Sequence, residues 1–446
     1  MASPRAHRRS TSTPSRNLRG PHTRGHTHAE TLLLVSSRDR LNARYSKCGF
    51  DAVQDSLKKF DAGLSERGVK LVAGYVDDCS SLSGLGLAPQ KRITPASVKG
   101  YLDALREKVS RRSRAPASIL ILGGHGVIPY FKLANPAFDS DKEVLSDNPY
   151  GSRPGALSSE KCLLPDVPVG RMPDGDGCGV ELLLGQMDLA ARAGKPRAGG
   201  KADGKGSGLK SGRPRPGSAG GEFGRRDAAR SAAFAGLATR APEADSLKYT
   251  AAVWQKASRE VVTGLGWKGV LRVSPPLTYL GVKASWFEGK TFLYFNLHGS
   301  DREPYWFGQK GDKYPTALSP GNVTNLNRGS NAVLTEACYG AIEAGRSRET
   351  SIALAFLATG SLCFVGSTCV AYGALVPPVS EADLIALNFF RNVQKGMAFG
   401  KALVNARAQL AGLAVSRQGY LDEDDKKTLL QFVLFGDPTL RLPSGV

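Results

Sequence analysis

Two short apolar runs in the second half of the chain each break off at a chemically reactive residue close to glycine. Phe292-Leu293-Tyr294-Phe295-Asn296-Leu297 leads into His298-Gly299-Ser300, and Ala332-Val333-Leu334-Thr335 leads into Glu336-Ala337-Cys338-Tyr339-Gly340. A short apolar run bounded by turn residues reads as a buried strand. His298 and Cys338 then sit at the carboxyl ends of core strands, the edge at which open α/β sheets bind their ligands. A thiol and an imidazole delivered to one edge are the parts of a cysteine nucleophile with its base.

The rest of the chain alternates in a way that supports such a sheet. Strands are expected at Thr31–Ser36, Val69–Val76, Ala117–Leu122 and Pro168–Gly170, with helices over Val53–Ser65, Thr94–Lys108 and Cys178–Ala193. Thr94 is a natural helix cap with Pro95 behind it. After a stretch dominated by Gly, Lys, Arg, Ser and Pro, strands are expected at Ala232–Ala238, Gly269–Val273, Thr291–Leu297, Asn331–Glu336, Ser361–Gly366 and Leu430–Phe435. Helices are expected at Tyr249–Gly264, Ala284–Phe287, Thr350–Thr359, Ala382–Lys395 and Ala398–Leu413. Repeated strand–helix alternation implies a doubly wound, mostly parallel α/β sheet with helices on both faces. Four regions follow: a basic arm over 1–28 with the composition of a disordered segment, an α/β subdomain over 29–193, a flexible Gly-rich linker or insertion over 194–224, and a second, related α/β subdomain over 225–446.

The formal charge of +20 suggests a polyanion partner, but its distribution does not. Residues 1–28 hold six Arg and no acid; residues 191–226 hold ten Lys or Arg against Asp203 and Glu222, so +14 of the +20 lies in these two segments. Nonspecific polyanion contact through them is expected; a folded nucleic-acid surface is not required. The seven cysteines include no CxxC pair and the histidines lack metal-ligand spacing, so free thiols and no metal or organic cofactor are expected. No apolar run is long enough for a membrane span, and no apolar stretch backs the first charges. The expectation is a cytoplasmic protein, with secretion left open.

The order of these patches resembles the caspase-like cysteine peptidases, and among them the gingipain-type family. Strand, His-Gly, about forty residues, strand and Ala-Cys follow one another as in that clan, and Glu336-Ala337-Cys338 is similar to the Glu-Ala-Cys of its legumain branch. Phe364-Val365-Gly366-Ser367-Thr368 and the terminal Phe435-Gly436-Asp437-Pro438-Thr439-Leu440 resemble gingipain segments. So do Leu122-Gly123-Gly124-His125, Ser146-Asp147-Asn148-Pro149-Tyr150-Gly151 and Pro165-Asp166-Val167-Pro168-Val169-Gly170-Arg171.

The resemblance implies a caspase-like fold and a cysteine endopeptidase acting on a protein or peptide substrate. Cys338 would be the nucleophile and His298 the general base and acid. Local sequence does not separate His298 from His125, which also ends an apolar run; the family order selects His298. The N–H groups of Gly299 and Cys338 would form the oxyanion hole. Strand period two puts Glu336 on the face of Cys338, and in the clan this position helps build the pocket for the residue before the cleaved bond. A carboxylate there suits Lys or Arg. Ser367, Thr368 and Tyr372 would line that pocket, and Asp245 or Glu243 would lie near it. Family analogy also allows a structural calcium ion. The linker, rich in basic residues, would be a site of self-processing. The competing reading is a catalytically silent caspase-like binding module tethered to polyanions by its basic arms.

Overall fold

A computed structural model describes residues 30–83, 86–112, 118–177, 179–193 and 246–442. The basic arm over 1–28, the linker over 194–224 and the strand expected at Ala232–Ala238 lie outside the described residues.

One ten-stranded sheet runs through the molecule. In chain order the strands are β1 (Glu30–Ser36), β2 (Val69–Tyr75), β3 (Ser118–Leu122), β4 (Phe131–Ala134), β5 (Glu143–Ser146), β6 (Val169–Met172), β7 (Ser246–Ala251), β8 (Arg272–Ser274), β9 (Phe292–Asn296), β10 (Trp306–Phe307), β11 (Thr316–Leu318), β12 (Ala332–Thr335), β13 (Cys363–Ser367) and β14 (Phe432–Gly436). The sheet order is β2-β1-β3-β6-β14-β13-β12-β9-β7-β8; β4–β5 and β10–β11 are separate hairpins. Strands β2, β1, β3 and β6 pair in parallel, as do β13, β12, β9, β7 and β8. Strand β14 runs antiparallel to β13 and meets β6 at Phe435–Arg171. The expected mostly parallel α/β sheet is therefore present, and strand β14 of the second half inserts between the two parallel blocks.

The second half shows why these residues form strands. Along β9, β12 and β13 the side chains alternate between two cores. Phe292, Tyr294, Ala332, Leu334 and Val365 pack under the helices Gln255–Gly264, Glu381–Gln394 and Phe399–Gln418. Leu293, Phe295, Val333 and Phe364 face the other way, against the helix Ile352–Ala358. A third core fills the first half around Leu32–Val35 and Ile119–Leu122.

The helix expected over Tyr249–Gly264 begins only at Gln255. The residues before it form β7, because Leu247, Tyr249 and Ala251 alternate into the core beside β9 and the strand pairs on both sides. The β4–β5 and β10–β11 hairpins and the helix Glu423–Gln431 were not anticipated. That helix is announced by an Asp422/Asp425 capping box: Asp425 N–H donates to Asp422 at 2.8 Å.

The family-like motifs of the first half form one buried knot. The fully buried Arg171 donates twice to Asp147, at 2.9 and 2.6 Å, and to the carbonyls of Gly123 and Ile128 at 3.1 and 2.7 Å. Its guanidinium lies 4.0 Å from the Tyr130 ring centroid. Such a site needs Arg, since a planar fork must reach a carboxylate and two carbonyls at once. The neighbouring Asn148 side chain donates to Leu429 O at 2.9 Å, and Ser146 Oγ donates to Leu430 O at 2.7 Å, tying the first half to the approach to β14.

Candidate active site

Strands β9 and β12 are parallel neighbours in the register Thr335–Phe295, and the ladder extends through Glu336 N–H to Phe295 O at 2.9 Å. His298 leaves the sheet two residues after β9, and Cys338 three residues after β12. A Cβ on Gly299 would collide with the carbonyl oxygen of Cys338 and would lie 3.3 Å from Ala337 Cβ. Only glycine lets the two turns pack this closely. The His298–Gly299 and Ala337–Cys338 turns are thus brought face to face.

The Cys338 sulfur is cradled by the segment after β13. It donates to Ala371 O at 3.6 Å and accepts from Ala371 N–H at 3.3 Å. Burial pushes the thiol pKa up, and the Ala371 N–H opposes that shift. Tyr339, immediately after the cysteine, has φ +55°, in the left-handed region a bulky side chain rarely adopts. Its N–H donates to Cys369 O at 2.9 Å. The chain doubles back at the thiol, and the cost of that turn is offset by these fixed contacts.

His298 is caged. Its backbone exchanges two 2.9 Å hydrogen bonds with Phe307 on β10. Its ring centroid lies 4.2 Å from that of Trp254 and 5.3 Å from that of Tyr314. Nε2 lies 2.8 Å from Gln309 Oε1. The Gln309 amide nitrogen donates to Tyr314 Oη at 2.7 Å and to Gly311 O at 3.3 Å. With both amide protons facing acceptors, the Gln309 carbonyl faces the imidazole, so Nε2 carries the proton and Nδ1 has a free lone pair. Burial lowers the His298 pKa, partly offset by Gln309. The imidazole is neutral at neutral pH.

The N–H groups of Gly299 and Cys338 donate to no carbonyl among the described residues. Glu336 is buried, and its pKa is raised well above the carboxylate range, first by burial and then by the charge of Asp383. Asp383 is fully buried and accepts from Ala374 N–H at 2.8 Å; its own pKa is pushed up to about 6, chiefly by burial. Among the described residues, Glu336 Oε1 and Asp383 Oδ1 have no hydrogen-bond partner. Such a pair favours one shared negative charge over two.

The other anticipated residues are placed as follows. Ser367 is buried; its hydroxyl donates to Cys369 O at 2.8 Å. The Thr368 hydroxyl donates to Leu145 O at 2.7 Å. Tyr372 is half-buried and its hydroxyl binds Asp139. Asp245 and Glu243 lie outside the described residues. His125 follows β3; its Nδ1 accepts from Tyr130 N–H at 3.2 Å, and its own N–H donates to Glu343 at 2.7 Å. Cys363 is buried inside β13, and the Cys369 thiol, pushed up to about 12 by burial, donates to Gln431 at 2.9 Å. Gln309, Trp254 and Asp383 were missed in the sequence. Gln309 lies eleven residues past His298 in a hairpin connection, and no local pattern marks it. Among the described residues no group of three or more His, Cys, Asp or Glu is arranged to hold a metal, and no helix is long and apolar enough to cross a membrane.

Residues 245–443 match the model of Peptidase family C25. No curated protein matches the chain. Among solved structures, the Arg-specific cysteine proteinase gingipain R aligns with a TM-score of 0.57 at 14% identity, covering 94% of this chain and 79% of that one. The complex of Porphyromonas gingivalis RgpB pro- and mature domains aligns with a TM-score of 0.56 at 13% identity, covering 93% and 80%. The C25 match spans both facing turns, the Gln309 hairpin and the buried acid pair, and the solved structures share the caspase-like fold described above.

Proposed function

We propose that Cys338 and His298 are the catalytic dyad, that the enzyme cleaves after Arg or Lys, and that it processes its own linker. One observation carries the dyad: the glycine-permitted packing of the His298 turn against the Cys338 turn at the ends of adjacent strands. The resting pair is a neutral thiol and a neutral imidazole, since burial disfavours both charged forms. When a substrate carbonyl arrives, His298 Nδ1 takes the thiol proton and the sulfur attacks the carbonyl carbon. The Gly299 and Cys338 N–H groups, free of carbonyl partners, stabilise the oxyanion. The imidazolium, held by Gln309, gives its proton to the departing amine. Water then hydrolyses the thioester through the same base.

Glu336 and Asp383 support the preference for a basic residue. Two buried carboxylates with unpartnered oxygens lie beneath the Ala371–Ala374 segment that cradles the thiol. A guanidinium or ammonium between them would remove their mutual repulsion. The arginine specificity of gingipain R is in keeping with this. The test is labelling with peptidyl acyloxymethyl ketones differing only at P1. Rapid modification of Cys338 by Arg and Lys probes, slow modification by Asn and Asp probes, and none in Cys338→Ala are the expected results. Equal labelling across the panel removes the acid pair from specificity.

A further inference from the structure

A hairpin of the first half reaches the active-site edge of the second. The β4–β5 connection carries Asp139 and Asp141, both largely buried, and between them sits the ammonium of Lys427, whose side chain is fully buried. Lys427 lies 2.6 Å from Asp141 and also bonds Asp139. Each carboxylate then grips a segment next to the thiol. Asp141 accepts from the Tyr339 hydroxyl at 2.5 Å and from Val370 N–H at 2.8 Å. Asp139 accepts from the Tyr372 hydroxyl. Tyr339 is the strained residue following Cys338, and Val370 and Tyr372 flank Ala371, whose N–H and C=O both contact the sulfur.

We propose that Asp139, Asp141 and Lys427 form a positioning clamp that sets the Cys338 turn and the facing Val370–Tyr372 segment, so that the first half is part of the catalytic machinery. The proposal rests on Cys338 being the nucleophile. Two aspartates alone would repel; the buried ammonium of Lys427 holds them together through their Oδ2 atoms, which also accept from the Tyr372 hydroxyl and the Val370 N–H, while Asp141 Oδ1 takes the Tyr339 hydroxyl. The site thereby gains a fixed thiol position. Displacing a catalytic group by about 1 Å costs on the order of a hundredfold in rate, so loosening either segment shows in kcat.

Ala371 contacts the sulfur directly; the charges of Asp141 from the hairpin and Lys427 from the helix Glu423–Gln431 act on the thiol in opposite senses, and His298 joins them by the dyad assignment. This allows a test that separates positioning from mere support. In full-length enzyme, kcat and KM are measured together with the pH dependence of iodoacetamide alkylation of the Cys338 peptide, read by mass spectrometry. Tyr339→Phe removes one clamp bond and strands no charge; kcat should fall about tenfold with KM nearly unchanged. Asp141→Asn and Lys427→Met should both lower kcat, but Asp141→Asn should move the alkylation midpoint down in pH and Lys427→Met should move it up, since one removes a negative and the other a positive charge. Glu143→Gln, in an exposed ion pair of the same hairpin, should leave every readout at wild type. Wild-type kcat in Tyr339→Phe, or alkylation midpoints that do not separate in opposite directions, overturns the clamp. If Asp141→Asn and Lys427→Met fail to fold, Tyr339→Phe alone decides. Activity that survives Cys338→Ala instead sinks the nucleophile assignment and leaves the clamp without its basis.

Discussion

His298 and Gln309 show at the scale of single residues how a neutral side chain orients an imidazole. An amide accepts from Nε2–H without adding charge, so Gln309 offsets only part of the lowering that burial imposes on the ring. His125 stands at a similar strand end but spends Nδ1 on the Tyr130 N–H of its own turn. Cys338→Ala and His298→Ala should each abolish peptide hydrolysis with unchanged far-UV circular dichroism, while His125→Ala should keep most of the activity. Loss of activity only in His125→Ala would reverse the assignment. The acid pair makes a second residue-scale prediction. Asp383 holds its proton up to about 6 in the folded chain, whereas an unfolded Asp ionises near 4. The native state therefore binds more protons than the unfolded state between these values, and stability falls as pH rises through that window. Glu343 and Glu381, pushed up to about 7, act in the same direction. Thermal scans should show Tm falling from pH 4 to 7, with Asp383→Asn blunting part of the fall. A basic P1 inhibitor should restore Tm most at the higher pH. A Tm profile identical in wild type and Asp383→Asn contradicts this account. Glu336→Gln should also raise KM for Arg and Lys substrates by on the order of tenfold and spare neutral ones.

At the scale of elements, what the sequence disclosed depended on how local the determining force is. Strands β9, β12 and β13 were legible because burial on both faces demands unbroken apolar runs, and a run that stops at His or Cys is visible at once. The helix Pro95–Arg112 was legible through its cap: Ser97 N–H donates to Thr94 Oγ1 at 3.1 Å. Strand β7 was not, because Ser-Leu-Lys-Tyr-Thr-Ala carries a weak alternation and its strand state comes from pairing with β8 and β9. Gln309, Asp383 and the Asp139–Asp141–Lys427 clamp were invisible for the same reason: they belong to the site only because distant segments meet there. The helix Glu423–Gln431 carries Lys427 and feeds into β14, so its cap matters beyond the helix itself. Asp422→Ala removes one half of the capping box and should cost about 1 kcal/mol. Differential scanning calorimetry should show Tm lowered by a few degrees, with peptide hydrolysis at 25 °C largely retained. An unchanged Tm would mean that β14 pairing alone holds this segment.

At the scale of the whole molecule, the sheet decides what a cut in the linker does. The two halves are not separate bodies joined by a tether. Strand β14 pairs with β13 along five residues and meets β6 of the first half at Phe435–Arg171. Arg67 of the first half pairs with the buried Asp437 at 2.7 Å, and His125 N–H reaches Glu343 across the same seam. None of these contacts uses residues 194–224, so these contacts are not broken by a cut there. That segment is also rich in Lys, Arg and Gly, which offers an endopeptidase preferring basic P1 residues several candidate bonds. Cleavage is expected after Lys201, Lys205, Lys210 or Arg226. It should be poorer after Lys195, Arg213 and Arg215, each followed by proline, whose ring restricts the backbone around the scissile bond. Purified wild type should therefore give two bands of roughly half size under denaturing conditions and one particle by native size exclusion. Cys338→Ala should give a single full-length band, and adding active enzyme in trans should convert it to the same pair. Wild type that stays full length through prolonged incubation, while turning over basic peptides well, shows that the linker is not a substrate. Halves that separate on native chromatography show that the β14 seam does not hold the molecule together.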